Sequence, residues 1–290
     1  MFIDIHVHVR RLPGPLRGGK PAYATPQQLL ARYDAIGVER AVLLPGVNPE
    51  CELAPQSNEE IIELAQQNAR FIPFCNVDPR ALTNSPFAPL GELLRHYRDQ
   101  GCKGLGEVCA NLPFRDPLVQ NLFRHCQEVG LPVTFHIAPH IGGYYGLYDD
   151  PGLPQLEWTL QAFPKLNFLG HSQPFWAEIA PLDTVGERAG YPKGPIRQEG
   201  ALPKLFRKYP NLYGDLSAGS GYNALARDED YAVRFLEEFQ DRLLFGTDIC
   251  APDTPTPLVD LLLKLRNEGR ISETVFQKVA RENAVRILGL

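Results

Sequence analysis

Short apolar runs alternate with helix-like stretches from one end of this 290-residue chain to the other, and no other feature limits its fold as much. A strand, a helix and a second strand of the same sheet form a right-handed crossover, so repeating the pattern builds parallel βα units. Strands are predicted from residue 1 to 9 and over 39–44, 71–77, 103–108, 132–137, 166–170, 212–216 and 242–246. Helices are predicted over 26–36, 90–100, 117–129, 257–267 and 272–288. Gly37 is placed to end the first helix as a C-cap, and Ser57 with Glu60 three residues later reads as a capping box opening another. Eight strands, each followed by helical material, are met most economically by a (β/α)8 TIM barrel, an α/β fold forming a single domain over residues 1–290.

Within the first run, strand alternation sends Asp4, His6 and His8 to one face and Ile3, Ile5 and Val7 to the other. Two imidazoles so spaced can bind one divalent ion when other elements bring further ligands. The later strands end in a polar series: Glu107, His136, His171, Asp215 with Ser217, and Asp248. A barrel gathers such ends on one rim, and imidazoles with carboxylates suit Zn²⁺ or another first-row divalent ion. For His136 and His171 the competing reading is a structural hydrogen bond, and for Asp248 a turn carboxylate ahead of Pro252. Glu107 follows Gly104 and Gly106, which allow close approach of backbone or ligand; it is a metal ligand, a carboxylate that hydrogen-bonds behind the ligands, or a substrate contact. Asp4 is expected to face the barrel interior and orient a neighbour, Asp215 to hold a structural hydrogen bond, and His96 and His125 to be solvated.

Two loops are long, residues 10–25 after the first strand and 172–200 after the sixth, and both leave carboxyl ends, where lids and pocket walls sit in such barrels. The first carries Arg10, Arg11, Arg17 and Lys20, any of which could receive a substrate carboxylate, Arg10 first, unless the cluster is simply solvated. Tyr144, Tyr145, Phe175 and Trp176 are candidates for an aromatic wall, with Tyr144 and Trp176 as substrate contacts.

Composition excludes several partners. With 44% apolar and 22% charged residues the chain is an ordinary globular protein. A net charge of -5 and a pI near 5.8 disfavour nucleic acid or an anionic membrane, leaving a small molecule as the expected partner; a homo-oligomer is compatible. No apolar run is long enough to span a bilayer, and the first residues are strand-like rather than a leader, so a cytoplasmic location is expected. The cysteines at 51, 75, 102, 109, 126 and 250 lack CxxC spacing and read as reduced, buried thiols.

The order of His6-Val7-His8, His136, His171, the Phe245-Gly246-Thr247-Asp248 tetrapeptide, and Glu282-Asn283-Ala284 before Ile287-Leu288-Gly289 resembles the amidohydrolase superfamily along the whole chain. The likeness is to its amidohydrolase-related branch, which includes aminocarboxymuconate-semialdehyde and resorcylate decarboxylases. It implies that His6, His8, His136 and Asp248 bind a metal ion, Zn²⁺ first and Mn²⁺ as alternative, and that Asp248 exchanges a proton with water. His171 is then a ligand of a second ion or a general acid/base. Glu107 stands where TatD-like nucleases have a bridging carboxylate; in that case His6, His8 and Asp248 hold one ion and His136 and His171 another. The closer decarboxylase relatives are mononuclear, which favours one tight ion beside a weak or empty second position. The implied activity is hydrolysis of a small amide, lactone or ester through metal-activated water. Nonoxidative decarboxylation of an aromatic or unsaturated acid is the alternative, and a metal-free ligand-binding barrel the third reading.

Overall fold

A computed structural model describes residues 1–182 and 184–290. Among the described residues, eight strands supply the frame: β1 (Phe2–Val7), β2 (Val38–Leu43), β3 (Phe71–Pro73), β4 (Leu105–Val108), β5 (Val133–Ala138), β6 (Phe168–His171), β7 (Leu212–Asp215) and β8 (Leu243–Leu244). They pair in parallel as β1-β2-β3 and as β4-β5-β6-β7-β8. Backbone bonds join the two ladders at both seams. Between β3 and β4, Cys75 N donates to Gly104 O (3.0 Å) and Gly106 N to Cys75 O (2.8 Å). Between β8 and β1, Ile5 N donates to Phe245 O (3.1 Å) and Asp248 N to His6 O (2.8 Å). The fold is the expected (β/α)8 barrel, with its regular ladders interrupted at two seams. No described helix is long and apolar enough to cross a membrane.

Two layers of core follow. Ile3, Ile5, Val42, Leu44, Ile72, Phe74, Leu169, Tyr213 and Leu244 pack with one another inside the strands, and Ala284 and Leu288 of the last helix join them. A larger cluster, including Val7, Leu29, Tyr33, Leu122, Phe135, Phe168 and Phe235, lies between strands and helices.

This partition corrects the simple alternation expected of β1. The ladder to β2 is irregular between Asp4 and Val7, and the irregularity resets which side chains face inward. Ile3 and Ile5 belong to the inner cluster and Val7 to the outer one. Asp4, expected inside, reaches Tyr33 Oη (2.6 Å) on α1 (Pro26–Ile36), while His6 and His8 turn to the rim.

Helix ends follow local chemistry. Thr25 and Gln28 form a reciprocal capping box at α1, and Gly37, at φ 77°, closes it in the left-handed conformation. Ser57 caps α2 (Asn58–Gln67), but Glu60 does not complete the box, since its carboxylate accepts from Arg11 N and Gln56 Nε2 instead. Helices Pro117–Val129 and Pro257–Asn267 fall where proline at the first turn predicts them. The stretch expected as one helix over 272–288 is three pieces, Glu273–Gln277, a π-helical turn Lys278–Glu282, and Asn283–Leu288.

The two long loops differ in what they do. Residues 10–25 fold into an exposed hairpin, Leu16–Arg17 against Lys20–Pro21, beside the rim. Within 172–200, helix Gln173–Ala177 buries Phe175 and Trp176, and buried Arg188 donates to the carbonyls of Asp149 and Asp150. That loop packs mainly as structure; its Asp183 lies outside the described residues.

Candidate metal centre and pocket

At the carboxyl ends of the strands, four donor atoms approach one point. His6 Nε2 and His8 Nε2 are 3.1 Å apart, and each lies 3.6 Å from Asp248 Oδ1. Glu107 Oε2 is 3.6 Å from His6 Nε2 and 3.7 Å from His8 Nε2. Four N/O ligands around Zn²⁺ at ordinary bond lengths form a tetrahedron with edges of about 3.4 Å, and the separations from His6 and His8 to each other and to the two carboxylates lie around that length.

The tautomers agree. His6 Nδ1 is 2.6 Å from Asp215 Oδ2 and His8 Nδ1 is 3.2 Å from Leu44 O, acceptors that place each ring proton on Nδ1 and leave a lone pair on Nε2. Two such lone pairs 3.1 Å apart repel unless something positive lies between them. Burial opposes charge on His6, yet the Asp215 and Glu107 carboxylates outweigh it and hold the imidazole well above its usual pKa. The site therefore attracts positive charge at this point, whether a proton or a cation brings it.

Backbone chemistry fixes these positions. Asp4 accepts from His6 N (3.0 Å), Thr247 N (2.9 Å), Thr247 Oγ1 and Tyr33 Oη, tying β1 to the segment that carries Asp248. Burial pushes the Asp4 carboxyl up to about 6 against those four donors. Asp248 has φ 55°, a left-handed conformation that Asp tolerates better than most side chains, and it is 24% exposed where His6 is wholly buried. Gly246 is needed beside it, since a methyl group there would lie 2.8 Å from Ser217 Cβ and 3.0 Å from Asp215 Oδ1.

Across the rim, the second oxygen of Glu107, Oε1, meets His136 Nδ1 at 2.8 Å. Burial works against the charge of Glu107, but His136 and His6 hold its pKa well below the usual carboxylate value. His171 stands between the two groups, its Nδ1 3.0 Å from Ser217 Oγ and its Nε2 3.9 Å from Asp248 Oδ2. Burial and the charge of His6 bring its pKa down to about 4, which keeps it neutral. Gly106 lets β4 approach β5, because a methyl group there would sit 2.7 Å from Thr134 O.

A pocket open to solvent lies over these groups and is lined by His8, Glu107, His136, His171 and Asp248 with Arg17, Tyr23, Tyr145, Glu52 and three cysteines, 51, 109 and 250. The structure brings the six rim candidates together, with Asp215 behind His6. It does not bring the three candidate substrate contacts to this pocket. Arg10 is buried and paired with Glu52, its guanidinium 4.0 Å from the Tyr23 ring centre. Trp176 is in the core and donates from Nε1 to Asp215 O (2.8 Å). Tyr144 packs on His140 and borders an adjoining recess. In their place stand Arg17 from the same loop as Arg10, Tyr145 from beside Tyr144, and the segment after β2 that carries Cys51 and Glu52. Asn48 and Asn76 went unnoticed in the sequence: Asn76 Nδ2 donates to Glu107 O (2.7 Å) and Asn48 Oδ1 accepts from Cys109 N (2.9 Å). Their only signal was asparagine in a segment leaving a strand end.

The fold recurs in solved structures. An amidohydrolase from Burkholderia multivorans with bound zinc is 18% identical, with 100% of this chain and 99% of that one covered and a TM-score of 0.64. The 5-carboxyvanillate decarboxylase from Sphingomonas paucimobilis is 17% identical over 100% and 99% of the two chains, at a TM-score of 0.63. A dihydroxybenzoic acid decarboxylase from a Polaromonas species, with bound manganese and the inhibitor 2-nitroresorcinol, is 15% identical over 100% and 97%, at 0.60. No curated protein sequence matches the chain. The family model described as amidohydrolase matches residues 3–290, and the chain therefore belongs to the amidohydrolase family of metal-dependent enzymes.

Proposed function

We propose that the protein is a hydrolase of a small amide, lactone or ester. The observation that carries this reading is the division of Glu107: Oε2 faces His6, His8 and Asp248, and Oε1 faces His136. A carboxylate so divided suits two cation positions, because a shared anion offsets the repulsion between neighbouring cations. His6, His8, Asp248 and Glu107 would hold the first ion, and Glu107 with His136, flanked by His171, the second. The mixed nitrogen and oxygen donors support Zn²⁺, with Mn²⁺ as the alternative. When bound, such an ion polarises the carbonyl to be attacked and makes an adjacent water more acidic.

The chain's own groups do the rest. Asp248 is the most exposed of the rim carboxylates, and its Oδ2 points away from the His6/His8 pair toward His171. It takes the proton from water and returns it to the leaving group. His171, neutral and hydrogen-bonded to Ser217, orients that carboxylate. Tyr145 packs at a tilt against His136, with ring centres 4.5 Å apart, and covers one side of the pocket, while Arg17 at its mouth meets an anionic end of the substrate.

The second reading is nonoxidative decarboxylation of an aromatic or unsaturated acid. It draws support from the names of two solved structures that share the fold and from Arg17, whose guanidinium suits a carboxylate. Metal-loaded protein should be screened against lactones, amides, esters and aromatic acids, with product and CO₂ measured together. Hydrolysis without CO₂ is the expected result. Release of CO₂ from an aromatic acid, with no turnover of lactones, amides or esters, overturns it in favour of the second reading.

A further inference from the structure

β4 ends in a pattern that mirrors the His-X-His of β1: Glu107, Val108, Cys109. Val108 is fully buried in the outer cluster, whereas Glu107 and Cys109, one residue to either side, both line the pocket. Their backbone is clamped. Asn76 donates to Glu107 O, Asn48 accepts from Cys109 N, and Gly146 N donates to Cys109 O at 2.8 Å. One ligand atom each of Glu107, Cys109 and His136 lies within 4.8 Å of the others, and all three residues are buried. The Cys109 thiol lies against the Glu107 carboxylate and the Cys51 thiol.

We propose that Cys109 is a ligand of the second ion, so that this position is built from Glu107, His136 and a thiolate, and selects a thiophilic cation such as Zn²⁺, Co²⁺ or Cd²⁺ over Mg²⁺ or Ca²⁺. The proposal rests on the reading of Glu107 as a shared carboxylate. Soft sulfur beside imidazole suits zinc and its neighbours, whereas hard oxygen-seeking cations gain nothing from it. A thiolate also places a further negative charge beside a second cation. As the Sγ–metal bond forms, the thiol releases its proton to solvent, so no oxidant or reductant takes part.

The test uses full-length protein stripped of metal and titrated with Co²⁺. Binding of two equivalents with a strong near-ultraviolet thiolate-to-cobalt charge-transfer band is expected. Cys109→Ser should abolish the band and retain one equivalent, while Cys51→Ser and Cys250→Ser keep the band. X-ray absorption at the zinc edge of wild-type protein with two equivalents should show sulfur at about 2.3 Å, a measurement that stands even if Cys109→Ser fails to fold. Two bound equivalents without sulfur ligation, or a band that survives Cys109→Ser, overturn the proposal and leave the shared carboxylate intact. Saturation at one equivalent overturns both.

Discussion

The two sides of the rim are held in different ways. On the β1 and β8 side each imidazole is aimed from behind by a group that does not face the pocket, Asp215 for His6 and the Leu44 carbonyl for His8, while Asp4 fastens the backbone of His6 to that of Thr247. On the β4 and β5 side, Glu107 and His136 hold each other, and the outside clamps, Asn76 and Asn48, reach only backbone atoms. A donor set oriented from outside keeps its geometry when a cation leaves; one held by its own members rearranges. The first position should therefore bind tightly and the second more weakly.

The largest effect should come from removing the tight side. His6→Asn with His8→Asn is expected to remove the tightly bound equivalent of metal and abolish turnover, with the thermal unfolding transition still cooperative. Elemental analysis after reloading with Zn²⁺ checks it, and retention of that equivalent would place the tight site elsewhere. Asp248→Asn separates holding from chemistry on the same side. Its amide still offers an oxygen but accepts no proton, so kcat should fall by about 100- to 10,000-fold with most of the metal retained. Near-normal turnover would remove Asp248 as the base. On the other side, Glu107→Gln should reduce the metal count from two to one; a count of two in the variant breaks the picture of a shared carboxylate.

Much of this architecture was readable because each strand is a short apolar run ending in a polar residue, and several helices carry their own start and stop signals, such as Pro26 with Gly37 and Pro117 with Gly130. The rim residues were readable for the same reason, since a strand end in a barrel has one destination. What escaped was the part set by distant contacts. The irregularity in β1 is defined against β2, and the π-helical turn at Lys278–Glu282 accommodates Phe245, whose backbone N donates to Val279 O. Arg10 and Trp176 sit in plausible loops, but a loop has no periodicity to say which way a side chain turns, and each found a buried partner, Glu52 and the Asp215 carbonyl. Cysteine spacing excluded CxxC motifs and could not reveal that Cys51, Cys109 and Cys250 share one pocket.

Asp215→Asn sharpens the contrast between the sides more gently. The asparagine keeps the size of the side chain while weakening the hold on His6 Nδ1, and changes behind a metal ligand cost roughly 10- to 100-fold in metal affinity. Competition with a chelator should show that loss at the tight position, and an affinity unchanged within twofold would mean that Asp215 does not aim His6.

The smallest effect is expected at the mouth of the pocket, where Arg17 is exposed on the hairpin and its guanidinium is screened by water. An exposed charge pair contributes at most about 1 kcal/mol, so Arg17→Ala should raise KM for an anionic substrate by no more than about fivefold. If Arg17 meets only the anionic end of the substrate, kcat should stay the same, and a neutral ester of the same size should show no change in KM. Salt supplies an independent reading, since raising ionic strength should weaken the wild type toward the variant while leaving the variant itself nearly unaffected. Equal losses for charged and neutral substrates would mean that Arg17 shapes the loop, and the anionic end of the substrate would then have to be sought deeper, toward Tyr23 and the Arg10–Glu52 pair.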